Sequence, residues 1–221
     1  MKLLNWIVRP KHEWVKVKGI PLTNSKFSRI DQLIKNKDVL DCGCVGDVIS
    51  NKEDFEKTSH AILMKHARSI VGVDIWEEEI EKRREMGYNV ICANVEHLEL
   101  NRTFDVVIAA DLIEHLSNPG MFLDTAHKHL KDKGLLYLCT PNAFSLNNCV
   151  RALFGIKINV HSEHTCYYDL NTLIQLIARH GFSVKEIYWQ DYCTRTVVKF
   201  VIKHIKNLAS SIIIIAEKKQ L

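Results

Sequence analysis

Seven short apolar runs are spaced along this chain of 221 residues, and charged or amphipathic segments of helical length separate them. The runs are residues 38–43 (DVLDCG), 69–75 (SIVGVDI), 88–94 (YNVICAN), 104–112 (FDVVIAADL), 135–141 (LLYLCTP), 182–189 (FSVKEIYW) and 210–219 (SSIIIIAEKK). They are nearly continuous in Val, Ile and Leu, which is how strands buried on both faces of a parallel sheet read. The segments between them, 52–67, 76–87, 118–134 and 169–181, read as helices. Gly87, Gly134 and Gly181 stand where helices close, and Pro119 where one opens. Strand and helix in alternation predict an α/β fold, doubly wound and Rossmann-like, with helices on both faces. Ligands of such sheets bind at the carboxyl ends of the strands, where the strand order reverses. That directs attention to the loop after the first run, "VLDCGCVGDVISNKEDF", residues 39–55.

Composition bounds the alternatives. A hydrophobic fraction of 47% with 25% charged residues is ordinary for a soluble domain, and the length suits a single one, residues 1–221. Two parts lie outside the alternation: residues 1–37, an N-terminal lid with a helix over "SKFSRIDQLIKN", and residues 142–168, a long excursion after the fifth run. Loops of that length are usually functional. No apolar run approaches the roughly 18 residues of a spanning helix, and the start, "MKLLNWIVRPKHEW", has no small-residue cleavage site. A cytoplasmic protein is expected. None of the seven cysteines forms a C-x-x-C pair, and Cys42, Cys92 and Cys139 lie in apolar runs, where buried free thiols are expected. A net charge of +4 is too mild to argue for nucleic acid. Residues 196–207 are amphipathic and read as a sheet-covering helix; contact with a membrane surface is the alternative, not the expectation.

Three chemistries could use the first loop. Cys42 and Cys44 offer two ligands where a structural zinc site needs four, so no metal is expected there. A nucleotide pyrophosphate wants G-x-G-x-x-G. The loop reads Gly43-Cys44-Val45-Gly46-Asp47, with the wrong spacing and an acid facing the anion. A cofactor without phosphate is the remaining option.

Four stretches, in order, carry a resemblance to the class I S-adenosylmethionine-dependent methyltransferases over residues 38 to about 190: "VLDCGCVGD", "VGVDI", "VICANVEHLEL" and "FDVVIAADLIEHLSNPGMFLDTAHKHLKDKGLLYLCTPN". The resemblance implies a seven-stranded sheet of order 3-2-1-4-5-7-6 with only the last strand antiparallel. It implies S-adenosylmethionine as cofactor and S-adenosylhomocysteine as product. The implied cofactor residues are Asp41 for the methionine ammonium, directly or through backbone groups, Gly43 and Cys44 in the turn, Asp74 for the ribose hydroxyls, Ile75 on the adenine face, Asn94 and Val95 at the adenine edge, and Ala110 at the fourth strand end. A cationic sulfonium and an ammonium suit these carboxylates, which would repel a nucleotide. One position departs from the family's D-x-G-x-G-x-G: Val45 stands at its second glycine, and the next glycine is Gly46.

The methyl acceptor is less constrained. Methyl transfer draws most of its rate from alignment, and a base is needed only where the acceptor loses a proton. Asp111, Glu114 and His115 follow the fourth strand, His161 and His164 lie in the excursion, and His60 lies in the first helix. Asp111, His115 and His164 are the expected catalytic residues, with the excursion on the acceptor side and no metal. The absence of a [DNS]-P-P-[YFW] box and of a nucleophilic cysteine after the fourth strand argues against nucleic-acid bases. A small molecule, a glycan or a lipid-linked intermediate, methylated at oxygen or nitrogen, is the expected partner; nothing in the sequence addresses oligomeric state. The first rival is a metal-assisted O-methyltransferase acting on an RNA 2′-hydroxyl or a catechol-like acceptor, with Asp111, Glu114, His115 and His164 as ligands. The second is a catalytically silent relative that binds cofactor or a partner protein. A NAD-dependent dehydrogenase is a distant further alternative.

Overall fold

An eight-stranded mixed sheet organises the chain, described here by a computed structural model over residues 20–26, 29–46, 55–158, 160–192 and 195–220. The strands are β1 (Leu22–Thr23), β2 (Asp38–Cys42), β3 (Ser69–Asp74), β4 (Val90–Cys92), β5 (Phe104–Ala110), β6 (Leu130–Pro141), β7 (Phe182–Gln190) and β8 (Ser211–Lys218). Their order is β1-β7-β8-β6-β5-β2-β3-β4. Only β8 runs antiparallel, to β6 on one side and β7 on the other. Without β1 this is the expected 3-2-1-4-5-7-6. The two-residue β1 is an addition, pairing in parallel with the edge of β7 through Leu22 and Trp189.

The apolar runs alternate between two cores. Leu40, Val71, Val73, Val107, Leu136, Leu138, Ile212 and Ile214 face one side, where they meet α4 (Pro119–His129) through Phe122 and Leu123 and α6 (Leu170–Arg179) through Leu173 and Ile177. Val39, Ile70, Val106, Ile108, Tyr137, Ile213 and Ile215 face the other, against Ile30 and Ile34 of α1 (Ile30–Ile34) and Leu63 of α2 (Ser59–Met64). This period of two, with both sets buried, is why the strands read as unbroken apolar runs. Helix α3 (Glu77–Glu85) buries Ile80 against Cys44, Val45 and Val90. Helix α5 (Leu146–Leu153) lies within the excursion, and α7 (Thr196–His204) buries Ile202 in the first core.

Several boundaries differ from expectation. The helix expected over 118–134 ends at His129, and β6 begins at once. Leu130 pairs with Phe104 and Leu135 with Val106, so residues 131–134 bulge out of the ladder, with Lys133 at φ 59. Gly134 therefore lies inside a strand; a Cβ there would sit 2.8 Å from the Lys131 carbonyl oxygen. The helix expected in residues 52–67 is confined, among the described residues, to a short turn at Phe55 and to α2, whose start is set by Thr58 accepting from the Ala61 amide. Cys42 and Cys139 are buried free thiols as expected, whereas Cys92, on the edge strand β4, is half-buried. Most of the expected N-terminal lid, and Asp47, lie outside the described residues. Of the expected amphipathic face, Ile202 is buried, Val198 and Val201 are half-buried and Ile205 is exposed. No helix among the described residues is long and apolar enough to cross a membrane.

Candidate active site

The loop leaving β2 is tied to its neighbours almost atom by atom. The Gly43 and Cys44 amides donate to the Val73 carbonyl at 2.8 and 3.3 Å. The Val45 amide donates to Asp74 Oδ2 at 3.0 Å, and the Val45 carbonyl accepts from Arg83 Nη2 at 3.0 Å. Arg83 is itself buried against Glu79, 2.8 Å away. Val45 is thus held at both ends, and its side chain packs with Cys44, Ile80 and Val90. This accounts for the departure seen in the sequence. The residue in the usual glycine position fills a core, and the left-handed backbone step moves to Gly46, at φ 61. Gly43 has φ 77, and a Cβ there would come 3.2 Å from Leu112.

Beside this loop, Gly43, Asp74, Ile75, Asn94 and Val95 line one cavity of about 190 Å³, with Leu112, His115 and Leu116 closing it. Asp74 also accepts from the Trp76 amide at 3.2 Å. A carboxylate has about four lone-pair positions, so two stay available to a ligand. Asn94 accepts from the Glu96 amide at 2.9 Å through Oδ1. Ile75 is 71% exposed, an apolar surface at the cavity mouth.

Asp41 and Cys44 border the loop but turn their side chains inward. Asp41 is buried, and its Oδ2 lies 2.7 Å from Nδ1 of the buried His60. The other ring nitrogen of His60, Nε2, has no partner among the described residues. Cys44 turns its thiol inward over Gly72, where an added Cβ would lie 2.7 Å from the sulfur and 2.8 Å from His60 Cε1. Burial holds the Cys44 thiol well above its ordinary range, so it stays protonated.

A second cavity of about 410 Å³ joins the loop to the histidines. Asp41, Gly43, Cys44, Ala110, Asp111, His115, His161 and His164 all border it. Asp111 follows β5 directly, at φ 56, with Oδ2 taken by Lys26 Nζ at 2.7 Å. Burial alone would lower the Lys26 ammonium, but Asp111 outweighs it and holds it above its usual value. Glu114 points into the protein, 1% exposed, accepting from Thr140 Oγ1 at 2.8 Å while Oε1 has no partner among the described residues. Burial pushes its carboxyl up to about 7.

The excursion brings the remaining histidines. A bridge between Asn142 and Tyr168 closes its base. Thr165 then pins it to the turn after β5, its amide and hydroxyl donating to the Glu114 carbonyl at 2.8 and 3.0 Å and its hydroxyl to the Leu116 carbonyl at 2.7 Å. The His115 and His164 rings come within 4.6 Å, and His161 lies 5.8 and 5.3 Å from them. Burial lowers both His115 and His164, which favours the neutral imidazole. Asp111, Glu114, His115 and His164 all border one further cavity, but among the described residues it is His115, His161 and His164 whose ligating atoms come together. Thr165, Lys26 and the His60–Asp41 contact were not singled out from the sequence, and only the length of the excursion hinted at the first.

Comparisons with known proteins fit this geometry. The profile of a family described as "Methyltransferase domain" matches residues 22–187. The chain is 24% identical over 204 residues to a ubiquinone biosynthesis O-methyltransferase of Pelagibacter ubique, covering 82% of this chain and 80% of that protein. A Rickettsia akari protein of the same name is 24% identical, but the match covers 68% of this chain and only 60% of the relative. Among solved structures, a SAM-dependent methyltransferase from Archaeoglobus fulgidus superimposes with a TM-score of 0.61 at 20% identity, over 87% of this chain and 91% of the other. The N-methyltransferase NodS of Bradyrhizobium japonicum, solved in complex with S-adenosyl-L-homocysteine, does so with a TM-score of 0.53 at 13% identity, over 84% and 80%. The chain belongs to the methyltransferase domain family and is an S-adenosylmethionine-dependent methyltransferase.

Proposed function

We propose that the enzyme methylates a hydroxyl oxygen of a small molecule that has an apolar portion. One observation carries the reading: His115 borders the Asp74 cavity, the loop cavity and a further cavity of about 470 Å³ reaching Gln190 and Tyr192. A neutral imidazole at that junction suits removal of a proton from an acceptor hydroxyl. Beyond it, Leu146, Val150, Val198 and Ile202 wall a space of about 570 Å³, a volume and lining suited to a small, partly apolar ligand. The name carried by the Pelagibacter relative favours oxygen over nitrogen as the acceptor atom.

The bound cofactor supplies an electrophilic methyl carbon: the acceptor oxygen forms the new bond while the carbon–sulfur bond breaks toward sulfur, leaving S-adenosylhomocysteine. Asp74 would accept the ribose hydroxyls with its free lone pairs, Ile75 would cover the adenine, and Asn94 and Val95 would meet its edge. Gly43 lets the backbone approach, and Ala110 and Asp111 border the methionine end. Asp41, joined to His60, acts on that end through the shape and charge of the loop. His115, supported by His164, takes the hydroxyl proton.

Calorimetric titration with S-adenosylhomocysteine tests the cofactor half. Micromolar binding is expected in the wild type, weakened by about 1.5–3 kcal/mol in Asp74→Ala, the cost of losing a charged acceptor. Asp74→Asn, which keeps one carbonyl for the Val45 amide, separates ligand loss from loop damage. No binding to the wild type overturns the reading and leaves the silent relative. Transfer of radiolabelled methyl to hydroxylated aromatics tests the other half, with kcat in His115→Gln reduced about 10²-fold or more. Labelling of amines or glycans alone would overturn the choice of acceptor.

A further inference from the structure

We propose that His115, His161 and His164 form a binding site for a divalent first-row transition metal ion of the zinc type, with one coordination position open toward the acceptor cavities. One ligating nitrogen from each lies within 4.8 Å of the others. A tetrahedral ion with Zn–N bonds near 2.0–2.1 Å wants its nitrogens about 3.3 Å apart. Closing that difference takes small ring movements. Two of the three rings ride on a loop anchored by Thr165, so backbone refolding is not required. His164 Nδ1 is buried with no partner among the described residues, a costly state for a polar atom that a bound ion relieves. Glu163 Oε2 stands 3.8 Å from His115 Nδ1, where a carboxylate orients a ligating imidazole.

The donor set selects the ion. Three imidazoles suit zinc, cobalt or nickel, whereas magnesium prefers oxygen. Of the oxygen donors nearby, Asp111 is paired with Lys26 and Glu114 is held by Thr140 through one oxygen, and neither joins the three nitrogens. Three protein ligands with an open fourth position is the pattern of catalytic rather than structural zinc. An acceptor hydroxyl bound there would lose its proton to solvent more readily, so in the ion-loaded enzyme the ion takes the place of His115 as the group that activates the hydroxyl. That last step rests on the hydroxyl-methylation reading; the metal site does not.

Untagged full-length protein, stripped with chelator, is titrated with Co²⁺ while visible absorption is followed, and with Zn²⁺ by calorimetry. The expected result is one ion per chain, an intense tetrahedral cobalt spectrum, and no competition from millimolar Mg²⁺. His161→Ala should weaken binding at least 100-fold, and His66→Ala, remote from the cluster, should not change it. S-adenosylhomocysteine binding reports that each variant is folded, and its failure in the wild type would overturn the cofactor reading while leaving the metal result intact. Absence of cobalt binding, unchanged affinity in His161→Ala, or displacement by Mg²⁺ would overturn the site.

Discussion

The two edges of the sheet handle charge in opposite ways. At the amino edge, Asp38 accepts from Arg68, from Ser69 at 2.8 Å and from Lys131 at 3.0 Å, while Asp105 accepts from the Asp38 amide at 2.8 Å and from Lys131 at 3.0 Å. Those bonds, Arg68 foremost, hold Asp38 far below the usual carboxylate range. At the carboxyl edge, burial dominates: it raises Glu114 and lowers His115 and His164, and Glu114 Oε1, His60 Nε2 and His164 Nδ1 have no partners among the described residues. One edge closes its acceptors with cations; the other keeps polar atoms ready for something else to bind. Unmet polarity in a folded protein costs stability, and here it gathers where ligands of parallel sheets sit.

The largest test of this contrast is Glu114→Gln. The Glu114 carboxyl, raised from 4.5 to about 7 in the folded protein, favours folding fully below about pH 4.5, and that contribution is lost as pH rises through 7. Each tenfold change in proton affinity between the folded and unfolded chain is worth about 1.4 kcal/mol. The variant should therefore be more stable than wild type by about 2–3 kcal/mol at pH 8 and nearly equal at pH 4.5. Urea unfolding with EDTA present measures this; equal stabilities at pH 8 would show that burial there is better compensated than the contacts indicate. Next is Thr165→Val, which removes both hydroxyl bonds at the base of the histidine loop. A loss of about 1–2 kcal/mol should come with faster proteolysis within residues 142–168 and unchanged S-adenosylhomocysteine affinity. Unchanged proteolysis would mean the bridge at Asn142 suffices alone. Smallest is Asp38→Asn. Its partners are solvent-exposed ion pairs, so the loss should stay below about 1 kcal/mol and shrink further in 1 M salt. Because the Asp38 carboxyl is lowered on folding, its contribution is present above about pH 4 and fades as pH falls. A loss that does not shrink at all between pH 5 and pH 2 would refute this electrostatic account.

Much of this was legible in the sequence. Strands buried on both faces write themselves as runs of Val, Ile and Leu, and the positions from strand ends and first turns, Gly43, Asp74, Ile75, Asn94 and Val95, do line one cavity. The bulge at 131–134 was not, because its lysines continue a charged helical pattern, and only pairing with β5 pulls Leu130 into a strand. The inward turn of Glu114 and the pairing of Asp41 with His60 were equally hidden. Each depends on a partner brought up by tertiary packing, Thr140 in one case and α2 in the other. His161 sits in a segment whose position is set by Thr165 and the Asn142–Tyr168 bridge, neither of which has a periodic signature.

The missing side chain at Gly72 has a consequence for how this loop can change over generations. The Cys44 sulfur and the His60 ring occupy the space that any β-carbon at 72 would need. Substitution at 72 is therefore tolerated only after Cys44 has become smaller or His60 has moved, and moving His60 releases Asp41. The three positions form an ordered path rather than independent choices, and a lineage that has filled position 72 should carry a different partner for the acid of the first strand.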